Sequence, residues 1–227
     1  MNRLPHGYTN QTKLEGGNVV KSYVGPGASE RCQTEQLCLQ AFDGLLPVPS
    51  LIDARESEVT MQFLPGRHGQ ELIDEGHAEA VLYAAGSMLG RIHELPKHTL
   101  QLRGQGRVIM HGDFGPQNLL LSDGGDEVLG VLDWEWAHYG DPLEDLAWAE
   151  WIVRMHHPES ESALRALFEG YGERPPWPNR QAPMMRRCEE LAAQDTVQHG
   201  VTQAAQLWTD RISLVRAWAP LPDDEVV

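Results

Sequence analysis

Residues 108–148 read VIMHGDFGPQNLLLSDGGDEVLGVLDWEWAHYGDPLEDLAW, and the fold turns on how this stretch is read. An apolar strand, Val108-Ile109-Met110, ends on His111-Gly112-Asp113, and Asn118 follows five residues after Asp113. A second apolar strand, Leu119-Leu120-Leu121, leaves at once, and Ser122-Asp123-Gly124-Gly125 supplies turn chemistry with glycines able to take positive φ. Val128 to Leu132 then reads as the returning strand of a hairpin, delivering Asp133 at its far end. A polar loop and a hairpin thus gather Asp113, Asn118 and Asp133.

That spacing has a chemical reason. Phosphoryl transfer needs a carboxylate beside the attacking hydroxyl and hard oxygen ligands for the Mg2+ that bridges the phosphates. A catalytic loop of the form H-x-D-x-x-x-x-N supplies the carboxylate and one metal ligand, and an aspartate beyond a hairpin supplies the other. His111, Asp113 and Asn118 fit the loop, and Asp133 fits the second metal position. A lone His-Gly-Asp would more often mark a solvated turn; matched positions at successive strand ends carry the information. Asp113-Phe114-Gly115 also spells D-F-G, the string that holds the metal aspartate in protein kinases. A catalytic loop should then lie upstream, but residues 90–102 (GRIHELPKHTLQL) contain no aspartate. The spelling is coincidental, and Asp133-Trp134-Glu135 takes the D-F-G place.

HGDFGPQN followed by VLDWEWAHYGDPLEDLA resembles the aminoglycoside phosphotransferase-like kinases, which include choline and homoserine kinases. The family pattern runs H-G-D-x-x-x-x-N, then D-W/F after two apolar residues, then G-D-P-x-x-D-L-A, here ending at Gly140-Asp141-Pro142 and Asp145-Leu146-Ala147. The resemblance implies an α+β, two-lobed protein-kinase-like fold. It implies a small β-rich nucleotide-binding lobe over residues 1–64 and a mostly helical catalytic and substrate lobe over 65–227. It also implies ATP and Mg2+ as cofactors and transfer of the γ-phosphate to a hydroxyl. Asp113 would orient and deprotonate that hydroxyl, Asn118 and Asp133 would hold the metal, and His111 would brace the loop. Asp141 and Asp145 would organise the backbone beyond the metal aspartate.

The N-terminal half supplies a nucleotide site to match. His6-Gly7-Tyr8-Thr9-Asn10 resembles a phosphate-binding loop, in which Gly7, Thr9 and Asn10 would face the phosphates. Asn18 to Val24 alternates like a strand, and its Lys21 sits where a phosphate-pairing lysine belongs. Ala28 to Phe42 reads as a helix with Cys38, Leu39 and Phe42 on one side; Glu35 near its middle is the expected partner of Lys21, ahead of Glu30 in the first turn. Strands are expected around Leu51 to Ala54 and Val59 to Phe63. The second runs into Leu64-Pro65-Gly66, resembling a hinge where backbone groups near Gln62 and Leu64 would meet the adenine edge.

Beyond the hinge, His77 to Leu95 reads as a long helix with Leu82, Ala85, Leu89 and Ile92 in a stripe, stopped by Pro96. His93 reads as structural. Helices are expected at Leu143–Met155, Glu161–Tyr171, about Ala182–Gln198 and Val201–Trp218, with Pro175-Pro176-Trp177-Pro178 as a rigid interruption. The acidic tail Asp223-Asp224-Glu225 is expected to be disordered; His156-His157 could suggest a metal, but adjacent residues do not share a helix face, and a surface pair is expected.

Composition narrows the class. The 227 residues carry 18 basic and 33 acidic side chains, a formal charge of −15, which argues against a nucleic-acid surface. Cys32, Cys38 and Cys188 form no C-x-x-C pair and suit a reducing compartment, and no apolar run of about 20 residues is present, so a cytoplasmic monomer or dimer without membrane partners is expected. Four of the seven tryptophans fall at 134, 136, 148 and 151, among Glu135, Glu144, Asp145 and Glu150. They read either as a pocket for a cationic hydroxyl acceptor, by cation–π attraction and ion pairing, or as core beside a solvated acidic face. The rivals to a small-molecule kinase are a protein kinase, disfavoured by the missing G-x-G-x-x-G and A-P-E strings, and a nucleotide-binding regulator without turnover.

Overall fold

The computed structural model describes residues 10–96, 100–199 and 203–225. The first of them fold into an antiparallel sheet. β1 (Asn10–Glu15) and β2 (Asn18–Tyr23) form a hairpin, helix α1 (Ala28–Phe42) crosses one face, and β3 (Leu51–Arg55) and β4 (Glu58–Gln62) complete the sheet in the order β1-β2-β4-β3. In β2 the two-residue period turns Val19, Lys21 and Tyr23 to one face, and the last two are buried. In α1 the buried residues Arg31, Glu35, Cys38 and Phe42 recur at helical spacing. One stripe of α1 therefore carries charge at its start and apolar packing at its end.

A short strand, β5 (Arg67–His68), and a one-and-a-half-turn helix, α2 (Gly69–Asp74), lead into α3 (Ala78–His93). The expected stripe on α3 is fully used: Leu82, Ala85, Leu89 and Ile92 are each 1% exposed or less. Burying each of the larger ones contributes about 1.5–3 kcal/mol. At Gly86 a β-carbon would stand 2.0 Å from the Leu167 carbonyl oxygen, so only glycine lets the partner helix come this close.

Residues 108–140 fold as two small ladders. β6 (Val108–Met110) leads through the polar loop to β7 (Leu119–Leu121), which pairs antiparallel with β8 (Val128–Val131) as the expected hairpin and with β5 on its other edge. β6 pairs instead with β9 (His138–Gly140). The rest is helical: α4 (Pro142–His156), a 3-10 stretch (Pro158–Ala163), α5 (Leu164–Tyr171), α6 (Trp177–His199) and α7 (Gln203–Ala217). No helix among the described residues is long and apolar enough to cross a membrane.

Four expectations are corrected. The helix expected from Glu161 begins at Leu164, because a 3-10 stretch opened by Pro158 fills the gap. The rigid interruption is shorter than expected: α6 starts at Trp177, with Pro178 in its first turn, where a missing N–H costs nothing, and Pro183 inside it. The tail is ordered through a 3-10 turn at Pro222–Glu225, because Arg180, with no exposed surface, needs a counter-charge and finds Asp224 at 2.5 Å. His157 is not a surface residue: it closes α4 and is 3% exposed.

Candidate active site

Three elements converge on Lys21. Its ammonium lies 2.5 Å from Glu35 and 2.5 Å from Asp133, and 3.9 Å from Glu135. The Tyr23 hydroxyl also donates to Glu35. Burial works against the lysine's charge, but the three carboxylates outweigh it and hold its pKa above the ordinary value. Glu30, the alternative partner, lies in the first turn of α1, where Thr34 Oγ1 donates to its carbonyl.

Asp133 sits at the end of β8 with φ 67° and ψ 55°, the one non-glycine residue with positive φ among the described residues. Aspartate tolerates this left-handed conformation better than most side chains. It re-aims the chain into a 3-10 turn, Trp134–Trp136, that buries Trp134 against Phe42 at 4.7 Å between ring centroids. The same turn swings Glu135 toward α1. There Glu135 accepts from Arg31 Nη1 at 2.8 Å and Asn10 Nδ2 at 2.7 Å, and Arg31 Nη1 also donates to Asn10 Oδ1 at 2.9 Å. Burial raises the Glu135 pKa in spite of Lys21 nearby. Sequence reasoning missed this role and placed Glu135 either among acids available to a substrate or on a solvated acidic face.

The loop after β6 is held from below. Buried Asp145 accepts from the His111 N–H at 2.6 Å and the Gly112 N–H at 2.9 Å. Although burial opposes its charge, His93, His111 and that amide hold its carboxyl below the ordinary range. Asp145 thus organises the catalytic-type loop itself rather than the backbone beyond Asp133, while Asp141 caps α4 by accepting from the Leu143 N–H at 3.0 Å. Gly112 has φ 83°, and a β-carbon there would stand 2.4 Å from the Trp136 carbonyl oxygen. The fully buried His111 ring bonds through Nε2 to the Leu132 carbonyl at 2.9 Å and accepts the Asp113 N–H at Nδ1, 3.3 Å. It therefore ties the loop to the residue just before Asp133.

The Asp113 carboxylate accepts from two side chains. Asn118 Nδ2 donates to its carbonyl at 2.8 Å and its carboxylate at 3.1 Å, and Trp148 Nε1 donates to Oδ1 at 3.0 Å. Burial pushes the Asp113 carboxyl above its ordinary value; the Trp148 hydrogen bond opposes this and the charge of Asp133 adds to it. Trp148 was a residue of uncertain purpose in the sequence. Here it is the first of three stacked indoles, 4.2 Å from Trp151, which stands 6.0 Å from Trp208.

The remaining expectations divide. Gly7 and Thr9 lie outside the described residues, and Asn10 is engaged with Arg31 and Glu135. At the hinge the Gln62 N–H already donates to the Ser50 carbonyl at 2.9 Å, and Leu64 follows the end of β4. The tryptophan–acid cluster is mainly core: Trp134 and Trp151 are buried, and Glu150 is locked between Arg154 at 2.9 Å and Arg180 at 2.5 Å. Trp148 and Glu144 do line a cavity of about 180 Å3, shared with Gly112, His138, Arg186 and Arg187.

A donor set for a divalent cation is present. Asn118 spends its amide N–H groups on Asp113, which leaves Oδ1 as its ligating atom, and the Asp133 side chain is 30% exposed. Oxygens of Glu35, Asp133 and Glu135 also lie within 4.8 Å of one another. Hard carboxylate and amide oxygens beside solvent fit Mg2+, which keeps several waters.

Residues 97–191 match the phosphotransferase enzyme family. A stretch of 76 residues is 43% identical to acyl-CoA dehydrogenase family member 10 of Mus musculus; it spans 34% of this chain and 7% of that protein. Among solved structures, the GDP and kanamycin complex of APH(2")-IIia superposes with a TM-score of 0.75 at 11% identity, covering 94% of this chain and 92% of the other. A thermostable mutant of aminoglycoside phosphotransferase APH(4)-Ia with ADP and hygromycin B gives 0.65 at 18% identity, covering 94% and 95%. Aminoglycoside phosphotransferase APH(3'')-Id from Streptomyces rimosus gives 0.60 at 14%, covering 77% and 90%. The fold is the two-lobed, protein-kinase-like one of these enzymes, and residues 97–191 carry the match to the phosphotransferase enzyme family.

Proposed function

We propose that the chain transfers the γ-phosphate of ATP, with Mg2+, to a hydroxyl of a small molecule. The observation that carries this reading is the placement of two aspartates: Asp113, half-buried on the loop and held by Trp148, which lines a cavity, and Asp133, in contact with Lys21. Residues 1–64 would form the nucleotide lobe and 65–227 the catalytic lobe. Lys21, fixed by Glu35, binds the α/β-phosphates, with backbone groups near Gly7, Thr9, Asn10, Gln62 and Leu64 completing the nucleotide site. Asn118 and Asp133 would hold Mg2+, which when bound would neutralise charge on the phosphates. Asp113 orients the acceptor hydroxyl and takes its proton as the oxygen–phosphorus bond forms and ADP leaves.

The raised pKa of Asp113 suits a base, since burial leaves the carboxylate readier to accept a proton than an ordinary aspartate. The cavity beside it is mixed in charge, with Glu144 and Glu190 facing Arg186 and Arg187. A purely cationic acceptor is therefore less well matched than the sequence alone implied, and aminoglycosides are one class among several to test. The decisive assay measures ADP release with Mg·ATP against a panel of aminoglycosides, amino alcohols, hydroxy acids and sugars. Acceptor-dependent ADP release with a phosphomonoester product supports the reading. Nucleotide binding without phosphorylation of any acceptor would move the chain to the regulatory class.

A further inference from the structure

Far along α4 from that site, three ligand atoms turn toward one point. Asp74 is the last residue of α2, His157 closes α4, and Glu159 lies in the following 3-10 stretch; their ligand atoms all lie within 4.8 Å of one another. His157 is 3% exposed, and its Nδ1 is shut off from solvent and makes no hydrogen bond. Yet an Asp74 oxygen stands 3.0 Å from that nitrogen and a Glu159 oxygen 3.9 Å from it. The two carboxylates are exposed on their outer sides, with side-chain accessibilities of 63% and 67%.

A buried imidazole nitrogen aimed between two carboxylates, close to both but aligned as a hydrogen bond with neither, is how a cation's donors converge. For tetrahedral Zn2+ with metal–ligand distances of about 2.0–2.2 Å, neighbouring ligands stand about 3.3 Å apart. The observed 3.0 and 3.9 Å lie on either side of that value. An imidazole beside two carboxylates also suits Zn2+ better than Mg2+ or Ca2+, which take oxygen. We propose that Asp74, His157 Nδ1 and Glu159 form a zinc site, with water in the fourth position.

Its place in the fold gives it a structural purpose. The start of α2 packs on the catalytic-type loop, where a β-carbon on Gly69 would stand 2.8 Å from the Pro116 carbonyl oxygen. The first half of α4 carries Asp145 and Trp148, which hold the same loop. A cation joining the far ends of α2 and α4 clamps the two supports of that loop to each other.

The test uses the full chain, stripped with chelator and titrated with Zn2+ by calorimetry and thermal melting. The Asp74→Asn/Glu159→Gln double variant is the control, both positions being exposed enough to tolerate change. Asp133→Asn separates any Zn2+ held by the Glu35, Asp133 and Glu135 oxygens. The wild type and Asp133→Asn should bind Zn2+ at this site and gain about 5–10 °C in Tm at 100-fold over Kd, and the double variant should lose both. No binding, or binding and Tm gains that survive in the double variant, would show that His157 and Asp74 are a plain ion pair.

Discussion

Trp148 Nε1 donates to Asp113 Oδ1 across 3.0 Å, so an indole on α4 sets the direction of the carboxylate on the loop. Because the bond favours the charged form, it works against the burial that raises the Asp113 pKa. Trp148→Phe keeps an aromatic ring beside Trp151 and removes the donor. The activity of the wild type should fall on acidification as Asp113 takes a proton, at a pH above the ordinary aspartate range. In Trp148→Phe that acid limb should move further up, by about 1–2 pH units, the equivalent of one hydrogen bond to a charged group. A pH–rate profile reads it, and an unmoved limb would remove Asp113 as the titrating base.

The Lys21–Glu35 contact joins β2 to α1. Lys21→Met should weaken nucleotide binding and also destabilise the fold, by about 3–5 kcal/mol, since it leaves Glu35 buried without its cation. Glu35→Gln should do both more mildly, because Asp133 still engages the lysine. The losses of ATP affinity should be non-additive in the double variant. Additive losses in calorimetric Kd would mean that the glutamate acts on nucleotide by another route.

Glu135 and Arg31 make an asymmetric pair. Burial has already raised the Glu135 pKa, so Glu135→Gln removes a charge that the site holds at a cost. Arg31→Ala instead leaves that carboxylate buried with fewer donors. Urea unfolding should show Arg31→Ala destabilised by about 3–5 kcal/mol and Glu135→Gln by clearly less. Equal losses would show that packing, not charge, governs the contact.

At the C-terminal end, Asp224 lies 2.5 Å from Arg180 and 2.7 Å from Arg174. Asp224→Asn should lower Tm by several degrees, at about 2–4 °C per kcal/mol for a chain of this size, while Glu159→Gln, an exposed change, serves as the control in metal-free buffer. A Tm unchanged in Asp224→Asn would mean that the tail contributes nothing to the fold.

What could be read from the sequence was what is local. The loop from His111 to Asn118, the hairpin to Asp133 and the strand–helix pair of Lys21 and Glu35 all depend on short spacings and strand or helix periods. The direction of Glu135 could not be read, because it follows from the left-handed backbone at Asp133, which no pattern of residue types announces. Nor could the attachment of Asp224 to Arg180, whose positions are 44 residues apart and linked only once α6 has packed. Asp145 was legible as a motif residue, but its target, the amides of His111 and Gly112, depends on how α4 lies under β6. His157 looked like half of a surface pair because adjacent histidines point apart on a helix; that one of them points inward is a property of the packing.

If Asp113 aims the hydroxyl and Asp133 holds the metal, calorimetry of ATP binding at fixed Mg2+, run beside acceptor turnover on Asp113→Asn and Asp133→Asn, should separate the two roles. Asp113→Asn should bind Mg·ATP within a few-fold of wild type and lose about 10²–10⁴ in kcat, the range for removal of a general base. Asp133→Asn should lose both metal-dependent affinity and about 10³-fold or more in rate. Abolished nucleotide binding in Asp113→Asn, with Asp133→Asn spared, would reverse the two roles and make the Asp113-Phe114-Gly115 spelling meaningful after all.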